Sequence, residues 1–320
     1  MSSTVLILGA AGRIGQVLAS TFADAGWCVR AQSRKPLPPA LAVHARVQAI
    51  RCDGLDSAAV RAAAQGVDVV VHALNPPYTE WGRLALPLVD AAIGAARVGG
   101  ALLMLPGNVY NFGRELPPLL TPASPERGDH PKARIRIEAE ARMAAAPGLD
   151  SVVIRAGDFF GGAGRGSWFD LALTSRLKSG RFIYPGPMNV DHAWAYLPDL
   201  AQAFVRVAAQ RAQLRGPQRL HFAGHTLTGD EMLQALQSLI GRALRSGGLP
   251  WGLMRLASPV VPAWREIVVM RYLWQRPHSL DDSALRALIG PLPHTPLPPA
   301  LAAALAELGL LPTPAPLAPA

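Results

Sequence analysis

Four polar side chains near the middle of this 320-residue chain have the types and spacing that proton chemistry needs. Asn108 and Tyr110 stand two residues apart in PGNVYN, and His130 and Arg134 stand four apart in HPKARIRIE, with Glu138 a further four on. A phenol polarises a carbonyl oxygen through its O–H, an imidazole exchanges a proton near neutrality, and a guanidinium holds an anion or a hydroxyl without ever giving up its charge. Each also has a plainer reading. His, Arg and Glu at i, i+4 and i+8 is how a solvated charged helix face is written, and Tyr110 can simply pack beneath its loop.

A second set of residues suits an anion rather than a proton. Val5 to Leu8 is an unbroken apolar run, as in a parallel strand covered on both faces, and it leads directly into Gly9-Ala-Ala-Gly12-Arg13-Ile14-Gly15. The segment 16–25 has helical periodicity. Strand, glycine turn and helix together bring backbone N–H groups and the positive helix end against a pyrophosphate; Gly12 allows close approach and Gly15 close packing of helix on strand. Residues 27–33 form the next strand and end in Ser33-Arg34-Lys35, where cations suit a ribose 2′-phosphate, so NADP is expected over NAD; a solvated loop charge is the alternative.

The elements that must position these groups alternate. Strands are predicted over 47–52, 67–73, 101–105 and 151–155, with helices over 57–65 and 84–96 between them, which makes a doubly wound α/β sheet. Ligands in such sheets lie beyond the carboxyl ends of the strands. That places Asp53 near an adenine, or at a helix N-cap, and Ala73, Leu74 and Asn75 near the nicotinamide ribose. On the substrate side the candidates are Tyr78, Asp158 (substrate contact or loop cap), Phe159 and Trp168.

On GAAGRIG, DGLD, VVVHALN, IRAGDFFG and YLPDLAQA the chain resembles an extended or atypical short-chain dehydrogenase/reductase of the NAD-dependent epimerase/dehydratase family, over residues 4 to about 225 and loosely thereafter. The resemblance implies a Rossmann core over 1–165 completed by about 185–225, a small substrate-binding subdomain from 166–184 and 226–307, and NADP or NAD as cofactor. The family pattern carries a Ser/Thr four residues before the Tyr of a V-Y-G turn, and a Tyr-x-x-x-Lys pair on the following helix. Pro106 occupies the first place here; with Glu138 as anchor, His130 and Arg134 occupy the Tyr and Lys places. The implied activity is hydride transfer at a carbonyl or alcohol carbon without the usual pair. The alternatives are a nucleotide-sugar epimerase or dehydratase, and a non-catalytic NADP-sensing protein.

Composition bounds the partners. Net charge is +9, but only three of the 31 basic residues are Lys and the Arg residues are scattered singly, so a nucleic acid partner is not expected. No apolar run is long enough to span a bilayer and no basic leader precedes the first one, so a cytoplasmic protein away from membranes is expected. Cys28 and Cys52 are predicted too far apart to bridge. No metal site is expected. An aromatic, weakly charged second half points to an apolar or aromatic carbonyl compound as substrate, a homodimer is possible, and the Pro/Ala-rich stretch 308–320 is expected to be a disordered tail.

Overall fold

Apolar runs too short for helices become buried parallel strands, and the sequence between them supplies the crossovers. The computed structural model describes residues 2–312. Its first layer holds β1 (Thr4–Leu8), β2 (Cys28–Ser33), β3 (Val47–Arg51), β4 (Val69–His72) and β5 (Leu102–Gly107). Between them run α1 (Arg13–Asp24), α2 (Pro39–Ala42), α3 (Ser57–Ala63) and α4 (Trp81–Gly99). Then follow β6 (Leu119–Leu120), α5 (Pro131–Ala145), β7 (Ser151–Ala156), β8 (Asp158–Phe160), β9 (Arg181–Tyr184), β10 (His192–Tyr196), α6 (Leu197–Ala209), β11 (Pro217–Phe222) and β12 (His225–Leu227). The chain closes with α7 (Gly229–Ile240), β13 (Arg245–Gly248), α8 (Trp251–Ala257), α9 (Pro262–Val268), β14 (Ser279–Leu280), α10 (Ser283–Ile289) and α11 (Leu297–Glu307).

Seven strands form one parallel sheet in the order β11-β7-β5-β4-β1-β2-β3. Helices α1 and α6 cover one face around Phe22, Phe204 and Val207, while α3, α4 and α5 cover the other around Val89, Ile93 and Met143. This is the doubly wound Rossmann-type arrangement expected from the sequence. The order reverses between β1 and β4, and in sheets of this kind ligands bind beyond the carboxyl ends at such a switch point. Pro106 lies inside β5, opposite Ile154 of β7, in a stretch where β4 has already ended, so its missing N–H leaves no bond to β4 unmade.

A second apolar core lies beyond those carboxyl ends. Phe160, Phe169, Phe182, Trp194 and Trp274 fill it, and β8, β10 and β12 form a small three-stranded sheet across it. Residues 308–312, expected to begin a disordered tail, instead continue the fold: the Leu310 N–H bonds the Leu305 carbonyl, and Leu308, Leu310 and Leu311 pack on the second core. Three leucines in five residues bury enough apolar surface to order the chain here. The rest of the expected tail, from 313, lies outside the described residues.

Candidate active site

The glycine turn is built for close approach. Gly9 has φ +86°, and a Cβ on it would stand 3.0 Å from the Ala73 and Leu74 backbone. A Cβ on Gly15 would overlap the Gly9 carbonyl, so α1 sits on the turn only because that position is bare. Gly12 occupies the N-cap of α1 with no side-chain cap bond and no acidic residue in the first turn, which leaves the first N–H groups and the positive helix end open to an anion. Nearby, buried Gln32 takes the Gly9 N–H at 2.9 Å and donates to the Cys52 carbonyl at 2.7 Å, tying the ends of β1, β2 and β3. This geometry fits a dinucleotide.

The other candidates on this side are more varied. Arg13 does not point to solvent; it donates to the Gly161 carbonyl and pairs with buried Asp170, fastening the turn to the second core. Ile14 packs on the first core. Ser33 accepts the Lys35 N–H at 3.1 Å, and exposed Arg34 stands 3.7 Å from Asp53 beyond the ends of β2 and β3. The cap of α3 is Asp56, not Asp53; Asp53 holds the Leu55 N–H instead. Ala73 is buried, Leu74 half-buried and Asn75 exposed along the exit of β4.

Beyond the ends of β4 and β5, Tyr78 and Tyr110 share a hydrogen bond of 2.7 Å between their hydroxyls. Asn108 turns its Oδ1 back to the Tyr110 N–H at 3.0 Å, so its role here is to shape the turn that presents Tyr110. Burial raises the pKa of both phenols, and that of Tyr110 well above its ordinary value; the negative charge of Asp158 adds to each rise. Both therefore stay protonated at neutral pH. Two hydroxyls carry two protons and the pair uses one, so one O–H remains for a ligand oxygen.

The helix beyond differs from the sequence expectation by two residues. His130 is not on a solvated helix face: Pro131 begins α5, and His130 is its buried N-cap, accepting the Ala133 N–H at 3.2 Å on Nδ1 while Nε2 meets the Tyr272 hydroxyl at 3.0 Å. Desolvation lowers its pKa to about 4, so it is neutral. Arg134 is exposed and donates to the Gly128 carbonyl. The inward face of α5 carries Lys132 and Arg136, again four apart. Lys132, 2% exposed, pairs with Glu266 of α9 and stands over the Tyr78 ring. Arg136 lies over the Trp81 ring and makes no hydrogen bond or ion pair through its guanidinium among the described residues, its Nε being buried. Pro131 was the signal in the sequence, since proline favours the first helical position and makes the residue before it the cap.

On the far wall the Asp158 carboxylate accepts from His192 Nε2 at 2.8 Å, and the His192 ring stacks on Trp274 with centroids 4.2 Å apart. Strand alternation sends Phe159 the opposite way, against the first core and apart from Asp158. Trp168 meets Trp274 edge-on at 5.3 Å. Behind the Tyr110 turn, fully buried Arg155 joins Glu126 and Glu140, and Asn111 donates to Glu140 at 3.0 Å. Sequence reading missed Trp81, Lys132, Arg136 and His192, which pack around the tyrosine pair and Asp158 from elements whose inward face is set by packing.

Residues 1–99 match the NmrA-like family. Among solved structures the chain is similar to the Bordetella bronchiseptica enzyme WbmH in complex with NAD+, at TM-score 0.74 and 18% identity, covering 97% of this chain and 99% of that one. It is similar to the UDP-glucose-4-epimerase of Stenotrophomonas maltophila with bound NAD and formylated UDP-arabinopyranose, at TM-score 0.74 and 18% identity over 96% and 98% of the two chains. The same holds for the Brucella ovis UDP-glucose 4-epimerase in complex with NAD, at TM-score 0.74 and 16% identity over 96% and 99%. The fold is that of the NAD-dependent epimerases. Likeness at this level of identity fixes the architecture. No curated protein matches the chain in sequence. Among the described residues no helix is long and apolar enough to cross a membrane, and no cluster of His, Cys, Asp or Glu is arranged to hold a metal ion.

Proposed function

We propose that the protein is a nicotinamide-dinucleotide-dependent oxidoreductase that transfers hydride between its cofactor and a carbonyl or alcohol carbon. The observation that carries this is the open, uncapped start of α1 over Gly9, Gly12 and Gly15 at the switch point of the sheet. Bound there, the dinucleotide supplies the hydride chemistry. The chain holds its pyrophosphate on the backbone of the turn and leaves Arg136 free for the ribose or a nearby oxygen. Arg34 and Lys35 at the end of β2 favour NADP, with a 2′-phosphate displacing Asp53 from its exposed partner. A protonated Tyr78–Tyr110 pair donates to a carbonyl oxygen, in the manner of an oxyanion hole.

The substrate in this reading is a small apolar or aromatic carbonyl compound, because the groups around Tyr110 and Asp158 are largely aromatic, with Trp81 packed on Tyr110 and Trp168 on Trp274. A second reading, a nucleotide-sugar epimerase or dehydratase, is favoured by the solved structures that cover nearly the whole chain. One experiment separates them: denature the purified protein, identify released nucleotide, and titrate the stripped protein with NADPH and NADH. Exchangeable binding with a preference for NADPH is expected. Tightly retained NAD would favour internal redox chemistry on a sugar nucleotide, and no binding of either would remove both readings.

A further inference from the structure

Hydride transfer to a carbonyl also moves a proton, and the usual Tyr-x-x-x-Lys that handles it is missing. The groups around the crevice are each committed. Tyr78 and Tyr110 hold their protons too firmly, through burial, to exchange them near neutrality. Lys132 is locked to Glu266, Arg136 cannot be deprotonated, and His130 and His72 are neutral, with desolvation lowering their pKa values to about 4 and about 3. Asp158 is left.

Its placement suits the task. It opens β8 one residue after β7 ends, at the carboxyl end of the sheet, and its side chain is 16% exposed while that of His192 behind it is 2% exposed. A carboxylate only accepts, so His192 donates from Nε2 to Oδ2, and Oδ1 has no hydrogen-bond partner among the described residues. The ring of His192 is fixed between Trp274, at 4.2 Å, and His278, at 4.6 Å edge-on. The charge of Asp158 raises the pKa of four phenols, Tyr78, Tyr110, Tyr184 and Tyr272, so the carboxylate stands near their hydroxyls. We propose that Asp158 is the proton-transferring residue of this active site and that His192 is the positioning residue that orients it. This rests on the oxidoreductase reading above.

In the oxidative direction the substrate C–H bond breaks with its electron pair passing to the oxidised nicotinamide. The O–H bond breaks with its proton passing to Oδ1 of Asp158, and the C=O bond forms. Reduction reverses each change: reduced nicotinamide is consumed, and protonated Asp158 delivers the proton to the oxygen that a tyrosine hydroxyl has polarised.

The test uses the full chain, NADPH, and a panel of aromatic aldehydes, ketones and quinones headed by para-nitrobenzaldehyde. Asp158→Asn keeps the shape and the His192 contact, and Asp158→Ala opens room for a small carboxylate. Both are expected to lose about a hundredfold or more in turnover. Both should still bind NADPH and para-nitrobenzaldehyde, read by tryptophan fluorescence, within about threefold of the parent protein, since binding and proton transfer are separate tasks. Added formate should restore at least about tenfold in Asp158→Ala and nothing in Asp158→Asn. His192→Gln, which keeps a donor, should retain more turnover than His192→Phe at unchanged KM. Turnover by Asp158→Ala close to that of the parent, or a loss that formate does not relieve, overturns the assignment alone. Failure of the parent protein to transfer hydride to any member of the panel overturns the oxidoreductase reading, and the assignment with it.

Discussion

Tyr110 is the residue whose contribution the geometry states most directly. It is 5% exposed, its N–H is held by Asn108, and its hydroxyl is held by Tyr78, so it cannot swing away from the crevice. Replacing it with Phe removes one of two hydroxyls and leaves Tyr78 without its partner. Tyr110→Phe is expected to lower turnover at least about tenfold, with NADPH affinity unchanged in a fluorescence titration. Unaltered turnover would take the pair out of the site. His130 and Arg134, drawn from the same reading of the sequence, occupy a helix cap and an exposed turn contact.

At the scale of elements, two contacts hold the helices around the proposed site in place. The first is α1 on the glycine turn. Gly15→Ala forces a methyl group into the Gly9 carbonyl, and since that carbonyl belongs to the turn itself the helix must shift. A loss of about 1–3 kcal/mol in chemical denaturation, with weakened nucleotide binding, is expected. The second is the Lys132–Glu266 pair, which ties α5 to α9. Glu266→Gln leaves a buried ammonium without its counter-charge. Because Glu266 is 22% exposed, the cost should fall at the lower end of the roughly 3–5 kcal/mol seen when one partner of a buried pair is removed. Limited proteolysis should then cut first between α8 and α9; an unchanged melting temperature and cleavage pattern would show that the pair contributes nothing.

For the whole molecule the buried histidines set the acid limit of stability. Desolvation lowers His72 and His278 to about 3, and His130 and His221 to about 4, from an ordinary 6.5. Each folded-state pKa lies below the unfolded one, so the unfolded chain binds more protons across that interval. The stabilisation is present above about pH 6.5 and is lost as the pH falls toward 4 and 3. The melting temperature should therefore drop steeply over this range and be flat from 6.5 to 8, by differential scanning calorimetry. Legibility follows the same division of scale. Uninterrupted runs such as VLIL and VVVH, glycines at fixed spacing, and the Pro131 that ends the cap are local signals, and they determined the parallel strands, the turn and the start of α5. The inward frame of α5, the fastening of Arg13 to Asp170, the Asp158–His192 contact and the Tyr78–Tyr110 bond join residues 32 to 157 positions apart in the chain. Such pairings depend on which face each element buries. That is settled by the packing of the second core on the sheet, where burial of many apolar side chains outweighs the local preference of any one polar residue.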